Sequence, residues 1–572
     1  MRHSLAHLLG AAVLDLYPGS KLAIGPAIDD GFYYDIEISG KISDTDLPRI
    51  ETEMRKILKT WDKFEMMDED SKSAKTHYVG NKFKIELIED LIAKGEKITS
   101  YKSGRFVDLC RGGHVDSAKD IKPDSFKLSR VAGAYWRGDE KNAQLTRIYG
   151  YAFETKKELD DYLAMLEEAK KRDHKKLGPE LDLFTFSELV GPGLPLWTPK
   201  GTLLRNLLDD YVWSLRKQYG YQQVDIPHIT KKDLYETSGH WDKFKDELFK
   251  ITTREGHIFA MKPMNCPHHT QIYDRKSHSY RELPQRYANT TKDYRDEQTG
   301  ELSGLSRVRA FTQDDAHVFC RMKQVKEEFL KIWDIVHEFY GAFGLKLQVR
   351  LSKHDPEHPE KYLGDKENWK KAEKILQDIV KEKKVDVMDG FGEAAFYGPK
   401  LDFMAKDSLG RQWQVATIQL DMNMPERFNL TCINEKGEKE RIVMIHAAIM
   451  GSIERFLSII IEHYAGAFPV WLSPVQAVVL PITDKHNTWA EQVSQELKTS
   501  GIRAELNSEN ETLGKKIRDS EKQKIPYLLV IGDKEVDAKA VAVRQRGRGD
   551  TGQAKIAEFI KKIKEEIETK KP

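Results

Sequence analysis

The sequence predicts a protein of several α+β domains. Its 572 residues exceed the length of one typical domain, so about two to four folding units are expected. Between residues 287 and 320, two strand patterns flank a polar loop rich in Gly, Ser, Thr and Glu, which is typical of a long hairpin. Residues 474–572 instead alternate strand and helix patterns, which indicates an α/β unit with a mixed sheet.

Composition excludes several classes of protein. An apolar content of 40% suffices for buried cores, and 92 basic against 91 acidic residues give a net charge of +1, which argues against a uniformly basic nucleic-acid binder. No apolar run approaches the roughly 20 residues needed to cross a bilayer. The cysteines are too scattered for a disulfide framework and favour a reducing, cytoplasmic location. They are Cys110, Cys266, Cys320 and Cys432.

The chain opens with a stretch that superficially resembles a signal peptide, MRHSLAHLLGAAVLDLYPGS. Two histidines and an aspartate interrupt its apolar run and no small-residue cleavage site follows, so an amphipathic helix is predicted. His3 and His7 lie four apart, on one face of that helix. Cys110 and His114 form a second pair with the same spacing. Together the four are compatible with a tetrahedral zinc site, with general bases in a water-filled cleft, or with structural histidines.

The hairpin carries a candidate nucleotide site. Arg295 and Glu297 lie two apart on the first predicted strand, so a guanidinium that can grip phosphate stands beside a carboxylate that can accept from the amino edge of a base. On the return strand, polar residues alternate with small or apolar ones. These polar residues are Arg307, Arg309, Gln313, Asp315 and His317. An exposed hairpin with ordinary surface charge would show the same pattern.

This strand, loop and returning RVRAFTQDDAH resemble motif 2 of class II aminoacyl-tRNA synthetases, in the form of the threonyl branch. A helix pattern from about Thr202 and a strand ending at Pro227 resemble motif 1, and IHAAIMGSIERF resembles motif 3. The resemblance implies an antiparallel-sheet catalytic core and a homodimer formed through motif 1. It also implies four segments: an α+β editing domain (1–155), a linker helix (156–177) whose end Gly178 and Pro179 mark, the catalytic domain (178–472) and an α/β anticodon-binding domain (473–572).

The resemblance assigns roles in the core. Arg295 would contact the α-phosphate of ATP, Arg307 and Arg455 the γ-phosphate, and Glu297 the adenine, with Mg²⁺ offsetting further charge. The residues implied around L-threonine are Met264, Gln313, Asp315, Tyr397, Gln414 and Gln419. The expected chemistry is in-line attack of the threonine carboxylate on the α-phosphorus, followed by transfer of the acyl group to the terminal ribose of tRNA.

By spacing, Cys266 pairs with no other candidate ligand, which predicts a lone buried thiol. The resemblance instead implies that Cys266, His317 and His446 bind one zinc ion per subunit, with an open position for the amino and hydroxyl groups of threonine. Valine lacks the hydroxyl, whereas serine lacks only a methyl group worth about 1–3 kcal/mol, so a second, hydrolytic site is needed to remove serine.

HxxxH, GFYYD and CxxxH resemble the editing domain shared by threonyl- and alanyl-tRNA synthetases. The resemblance implies metal-free hydrolysis of seryl-tRNA by His3, His7, Tyr34, Lys84, Asp108, Cys110 and His114. The chain departs from the family pattern at Gly113, where Pro is common, at His268, where Gly is usual, and at Ala447, where Arg is usual. Family members usually carry a small ubiquitin-like domain before this one, and this sequence is expected to lack it.

The C-terminal unit resembles the anticodon-binding domain of the threonyl, prolyl, histidyl and glycyl group. Asn510, Glu535 and Arg544 match positions that read anticodon bases in the threonyl branch. Arg544, Arg546 and Arg548 cluster enough to indicate phosphate contact.

These resemblances imply a cytoplasmic, homodimeric ligase that uses ATP to join threonine to tRNA(Thr) and edits seryl-tRNA(Thr). The set Cys266, His317 and His446 and the editing histidines disfavour a prolyl- or seryl-type enzyme. The alternative is a non-catalytic RNA-binding regulator of the same fold. Such a protein would be expected to lose Arg295, Arg455 or zinc ligands, and all are present.

Overall fold

A computed structural model describes residues 1–571. The chain forms two compact units, residues 1–168 and 169–572. Helix α5 (Lys156–Arg172) crosses the division. No helix within residues 1–571 is long and apolar enough to span a membrane. The four cysteines are buried and unpaired, as their spacing predicts.

The first unit has two antiparallel sheets. Its helices are α1 (Arg2–Leu16), α2 (Leu47–Leu58), α3 (Ser71–His77) and α4 (Lys82–Ala93). Its strands are β1 (Lys21–Leu22), β2 (Ala27–Ile28), β3 (Gly31–Glu37), β4 (Glu65–Glu69), β5 (Ile98–Ser103), β6 (Phe106–Leu109), β7 (Phe126–Tyr135) and β8 (Gln144–Ala152). One sheet has the order β1-β3-β8-β7 with β2 beside β3, and the other is β4-β5-β6.

The prediction that helix α1 is amphipathic is wrong. Every residue from Ser4 to Val13 is buried, because the helix packs against β3 on one side and α2 on another. The helix therefore forms the centre of the unit's core, and His7 lies within that core.

The predicted connector helix breaks earlier than expected. Helix α5 ends at Arg172, and Asp173 caps a second helix, α6 (His174–Glu180), by accepting from the N–H of Lys175. Gly178 and Pro179 lie inside α6 rather than marking the end of the connector.

The second unit is built on an eight-stranded sheet of order β11-β15-β16-β23-β20-β19-β17-β18, which is antiparallel except for its two edge pairs. The strands from the start of this unit are β9 (Phe184–Thr185), β10 (Leu196–Trp197), β11 (Gln222–Gln223), β12 (Ile229–Lys231), β13 (Lys250–Thr252), β14 (Ile258–Met261), β15 (Gln285–Tyr294), β16 (Ala310–Cys320), β17 (Leu347–Lys353), β18 (Val387–Phe391), β19 (Lys400–Lys406), β20 (Gln412–Asp421), β21 (Thr431–Ile433), β22 (Lys439–Arg441) and β23 (Val443–Ser452).

Helices pack on both faces of this sheet. The helices are α7 (Pro199–Gln218), α8 (Lys232–Ser238), α9 (His240–Lys243), α10 (Cys266–Asp274), α11 (Val325–Gly341), α12 (Lys366–Lys383), α13 (Asn423–Arg427) and α14 (Ile453–His463). Apolar residues of α7, α11 and α14 join those of β16, β20 and β23 in one core. The predicted α+β class with an antiparallel catalytic sheet is confirmed.

The hairpin boundaries differ from prediction. Strand β15 ends at Tyr294 and β16 begins at Ala310, so Arg295, Glu297, Arg307 and Arg309 lie in the connecting loop. Glu297 and Arg307 face each other there through their side chains rather than through strand pairing.

Residues 474–571 form a mixed five-stranded sheet, β25-β24-β26-β27-β28, with the first three strands parallel and the last two antiparallel. The predicted mixed sheet is confirmed. The elements are β24 (Ala477–Pro481), α15 (Asn487–Thr499), β25 (Ala504–Leu506), α16 (Leu513–Lys522), β26 (Tyr527–Ile531), α17 (Asp533–Ala538), β27 (Ala540–Gln545), β28 (Gly549–Lys555) and α18 (Ile556–Thr569). Sequence patterns missed α17 and β28.

Candidate active sites

A cavity of about 480 Å³ opens over β16, β20 and β23 of the large sheet. Four residues assigned to ATP from the sequence line it: Arg295, Glu297, Arg307 and Arg455. Arg455 lies in the first turn of α14, where its N–H donates to the capping hydroxyl of Ser452 at 3.2 Å. A polar cavity with three guanidinium groups suits a polyphosphate.

Within this cavity, Arg307 donates from Nε and Nη2 to one carboxylate oxygen of Glu297, at 2.8 and 2.6 Å. This hydrogen bond raises the pKa of Arg307. Arg295 instead lies between two aromatic rings, with its guanidinium carbon 5.2 Å from the centre of Phe244 and 5.3 Å from that of Phe311. The two phosphate-binding candidates therefore differ, because Arg307 hydrogen-bonds a carboxylate, whereas Arg295 contacts two aromatic rings and lies 4.0 Å from the Glu247 carboxylate.

Beside this cavity lies a buried cluster of Cys266, His317 and His446, whose ligand atoms are all within 4.8 Å of one another. Cys266 begins α10, and the two histidines face each other on β16 and β23, with Nε2 of His317 3.1 Å from Nδ1 of His446. Burial raises the pKa of Cys266 well above its usual value and lowers that of His317. One thiol and two imidazoles in this arrangement form a donor set that suits zinc.

Further polar groups orient these imidazoles. Nε2 of His446 lies 2.9 Å from a carboxylate oxygen of Asp421, which leaves Nδ1 directed at the cluster. Nδ1 of His317 lies 2.8 Å from Nδ1 of His269, which leaves its Nε2 directed at the cluster. A carboxylate behind a metal-binding histidine is the usual arrangement in metal sites, so the residues present fit a bound zinc ion.

The residues assigned to the amino acid lie in three places. Asp315, Tyr397 and Gln419 surround the cluster. Asp315 lies 3.8 Å from His317, the ring of Tyr397 stacks on His446 at 4.8 Å, and the Tyr397 hydroxyl donates to Gln419 at 2.5 Å. Gln313 and Gln414 line the polyphosphate cavity instead. Met264 packs in the apolar cluster that contains Cys266.

The first unit holds a second constellation. His3, His7, Cys110 and His114 place one ligand atom each within 4.8 Å of the others. Sγ of Cys110 lies 3.2 Å from Nε2 of His114 and 3.5 Å from Nε2 of His3. A cavity of about 430 Å³ opens beside them.

Three further predicted residues lie behind this cluster. Nζ of Lys84 lies 2.6 Å from Asp108, and the hydroxyl of Tyr34 donates to the other oxygen of the same carboxylate. The structure therefore brings all seven predicted editing residues into one site, although they are spread from α1 to the segment after β6.

Burial sets the charge of this site. Desolvation lowers the pKa of His3 and His7 and that of His114 to about 2, and it raises the pKa of Cys110 to about 11. At neutral pH the three imidazoles and the thiol are therefore uncharged. The ion pair of Lys84 and Asp108 supplies the charge, and each neutral imidazole retains one unprotonated ring nitrogen.

Models of known families match all three regions of the chain. The class II core domain of the G, H, P, S and T tRNA synthetases matches residues 249–464, the anticodon-binding domain matches 476–566, and the second additional domain of threonyl and alanyl tRNA synthetases matches 98–149. A threonine–tRNA ligase of Porphyromonas gingivalis is 50% identical over 99% of this chain and 87% of its own length. The chain belongs to the threonine–tRNA ligase family. Another ligase of that name, from Rubrobacter xylanophilus, is 48% identical over 99% of this chain and 88% of its own length.

Solved structures agree with this family. A threonyl-tRNA synthetase RNA-binding domain structure from Cryptosporidium parvum matches with a TM-score of 0.66 and 38% identity, over 69% of this chain and 98% of its own. A prolyl-tRNA synthetase of the same organism matches with a TM-score of 0.54 and 17% identity, over 69% of this chain and 76% of its own, which shows a shared fold.

Two departures from the threonine–tRNA ligase pattern are accommodated locally. Gly113 has a φ of 86°, which proline cannot adopt, so the turn before His114 differs from one built with Pro, yet His114 still reaches Cys110. His268 does not join the cluster of Cys266, His317 and His446. Its ring lies 6.1 Å from that of Tyr235, and both of its nitrogens are buried without a hydrogen-bond partner among residues 1–571.

Sequence reasoning missed several buried residues of the core. His269 contacts His317, and the only signal was its place beside Cys266. Asp402, fully buried on β19, accepts from Arg350, Gln414 and Thr417 and pairs with Lys400 at 2.9 Å. Lys400 and Asp402 share a strand face, so alternation in the run KLDF was a usable signal.

The candidate anticodon residues are not joined to one another by a hydrogen bond or ion pair within residues 1–571. Glu535 accepts from the N–H of Gly532 at 3.0 Å and from Gln553 at 3.2 Å. Asn510 is exposed in the loop before α16, and Arg544 lies on β27. Arg546, grouped with Arg544 for phosphate contact, donates to the main-chain carbonyls of Ala467, Phe468 and Lys524, and its phosphate contact stays a prediction.

Proposed function

We propose that this chain is a threonine–tRNA ligase that forms threonyl-adenylate from L-threonine and ATP, transfers the threonyl group to tRNA(Thr), and hydrolyses seryl-tRNA(Thr) at a separate site. The observation that carries this proposal is the convergence of Cys266, His317 and His446 beside Asp315 and next to a cavity lined by arginines. We assign editing to residues 1–155, the linker to 156–177, catalysis to 178–472 and anticodon binding to 473–572, which accords with the matched ranges.

In the activation step, the chain's own groups mainly bind and orient. Arg295 holds the α-phosphate, Arg307 and Arg455 hold the γ-phosphate together with Mg²⁺, and Glu297 accepts from the adenine amino group. The threonine carboxylate attacks the α-phosphorus in line and pyrophosphate leaves. Arg307 donates to only one oxygen of Glu297, so the pair can contact the nucleotide together.

Cys266, His317 and His446 would hold one zinc ion per subunit. Zinc there supplies a Lewis acid with room for the amino and hydroxyl groups of threonine. Asp315 accepts from the amino group of threonine. Asn265 orients the Asp315 carboxylate by donating to it from Nδ2 at 3.1 Å. Valine has no hydroxyl to satisfy this site, which can discriminate by roughly 10⁴-fold or more, whereas serine fits and needs a second site.

At the editing site, a neutral imidazole of His3 or His7 accepts a proton from water as the water oxygen attacks the seryl ester carbonyl. The ester bond to the ribose then breaks and the ribose oxygen takes up a proton. Lys84, held by Asp108, orients the ester. This step needs no metal.

A homodimer and a cytoplasmic location complete the proposal. Exposed apolar side chains concentrate around the β9–β10 hairpin that precedes α7, the motif 1 helix, and such patches favour association. They are Phe186, Leu189, Val190 and Leu196. Four unpaired, buried cysteines favour a reducing compartment.

Replacement of Arg455 by Gln tests the ATP assignment. Loss of a charged donor to the γ-phosphate should raise the KM for ATP and lower kcat for ATP–pyrophosphate exchange, together by roughly 10²-fold or more. Arg281→Gln is the control, because Arg281 is exposed and its side chain donates to its neighbour Tyr280. Unchanged ATP kinetics in the Arg455 variant would contradict the assignment.

A further inference from the structure

Arg216 lies in the last turn of α7 and is only 2% exposed. Its Nη2 donates to the carbonyl of Asp314 at 2.7 Å, to the Asp314 carboxylate at 3.3 Å and to the carbonyl of Ala447 at 3.3 Å. A buried guanidinium is tolerated only when it is paired and hydrogen-bonded. One side chain of α7 therefore joins β16 and β23 beneath the ligand face.

Asp314 is the centre of this junction. It is fully buried, and its carboxylate also accepts from the N–H groups of Ile449 and Met450 at 2.9 and 3.0 Å. Burial raises the pKa of Asp314 to about 7, and Arg216 opposes that rise. The positive charge of Arg216 therefore favours the ionised carboxylate that both N–H groups need.

The junction coincides with an irregularity in the sheet. Gln313 pairs with Ser452 but Asp315 pairs with Ala448, so the register between β16 and β23 shifts across Asp314. The flanking residues face the ligand: Gln313, Met450 and Ser452 line the ATP cavity, and Asp315 lies beside His317. A bulge of this kind sets where neighbouring side chains point.

We propose that Arg216 is a positioning residue for threonine and ATP, which fixes this bulge by supplying from α7 a guanidinium that the sequence lacks at position 447. The side chain of Ala447 packs in the core on the same side of the sheet as α7. An arginine introduced at position 447 would extend from β23 on the side of the sheet that holds the Asp314 carboxylate. This inference rests on the proposed function.

Relocating the guanidinium tests this proposal. The variants are Arg216→Gln, Ala447→Arg and both together, with exposed Lys217→Gln as the control on the same helix. We measure ATP–pyrophosphate exchange at varied threonine and ATP, and the unfolding temperature. Arg216→Gln should raise the KM for threonine at least tenfold. Ala447→Arg alone should also lower kcat/KM, because two guanidinium groups then compete for one carboxylate. The double variant should recover a kcat/KM within threefold of that of the parent.

A double variant no better than Arg216→Gln would overturn the proposal, and so would parental kinetics in Arg216→Gln. A role confined to stability would lower the unfolding temperature without changing the KM for threonine, which also overturns it. If Arg216→Gln is insoluble, a soluble and active double variant supports the proposal, and an insoluble double variant contradicts it. A parent with no exchange would refute the proposed function, whereas an active parent with an unchanged KM for threonine in Arg216→Gln would refute only this inference.

Discussion

Replacement of Cys266 by serine should remove zinc from the protein and reduce threonine-dependent ATP–pyrophosphate exchange by roughly 10³-fold or more, because a serine hydroxyl is a far weaker ligand than a thiolate. Without the thiolate, His317 and His446 remain as two neutral ligands, too few for tight binding. Metal content per subunit, measured by mass spectrometry, should fall from one to near zero alongside the loss of exchange.

Cys432→Ser is the matched control, because Cys432 is equally buried and lies in the same apolar cluster as Cys266 but outside the ligand set. It should keep both zinc and exchange. Full zinc content and unchanged exchange in Cys266→Ser would show that other residues hold the zinc ion.

Replacement of both His3 and His7 by alanine should leave threonine activation intact and allow seryl-tRNA(Thr) to accumulate. Both imidazoles line the editing cavity, and burial lowers the pKa of each, so both are in the neutral form that a general base requires. Loss of the general base should slow deacylation of seryl-tRNA(Thr) by roughly 10²–10⁴-fold. The measurement is hydrolysis of preformed seryl-tRNA(Thr) by each variant.

His77→Ala controls for histidine loss in the same unit, because His77 lies on α3 and pairs with Glu69 instead. Zinc content of the double variant should stay at one per subunit, since the proposed editing step needs no metal. Unimpaired clearance of seryl-tRNA(Thr) would show that another group acts as the base, and a drop in metal content would show that these histidines bind an ion.

Local patterns predicted much of the fold. Alternation in FYGPKLDF and RQWQVATIQLD gave β19 and β20, and the strand-to-helix change in VMIHAAIMGSIERF gave β23 and α14. Patterns failed where burial overrides periodicity. Helix α1 is buried on nearly all sides, so the spacing of its apolar residues does not predict which face is buried.

Contacts between distant segments could not be predicted from spacing. Arg216 reads as one of several basic residues at the end of an amphipathic helix, yet it is buried against residues about one hundred and two hundred and thirty positions away. The loop carrying Leu305 likewise depends on His174 of α6, whose Nε2 accepts from the Leu305 N–H at 3.0 Å. Such buried polar residues become identifiable only when the fold brings their partners together.

ATP–pyrophosphate exchange by the zinc-loaded protein with threonine, serine and valine tests the central claim most directly. A site that needs both an amino and a hydroxyl group predicts strong exchange with threonine, weaker exchange with serine and at least 10⁴-fold lower kcat/KM with valine. Comparable exchange with threonine and valine would contradict the hydroxyl-selective zinc site, and no exchange with any of the three would contradict the ligase itself.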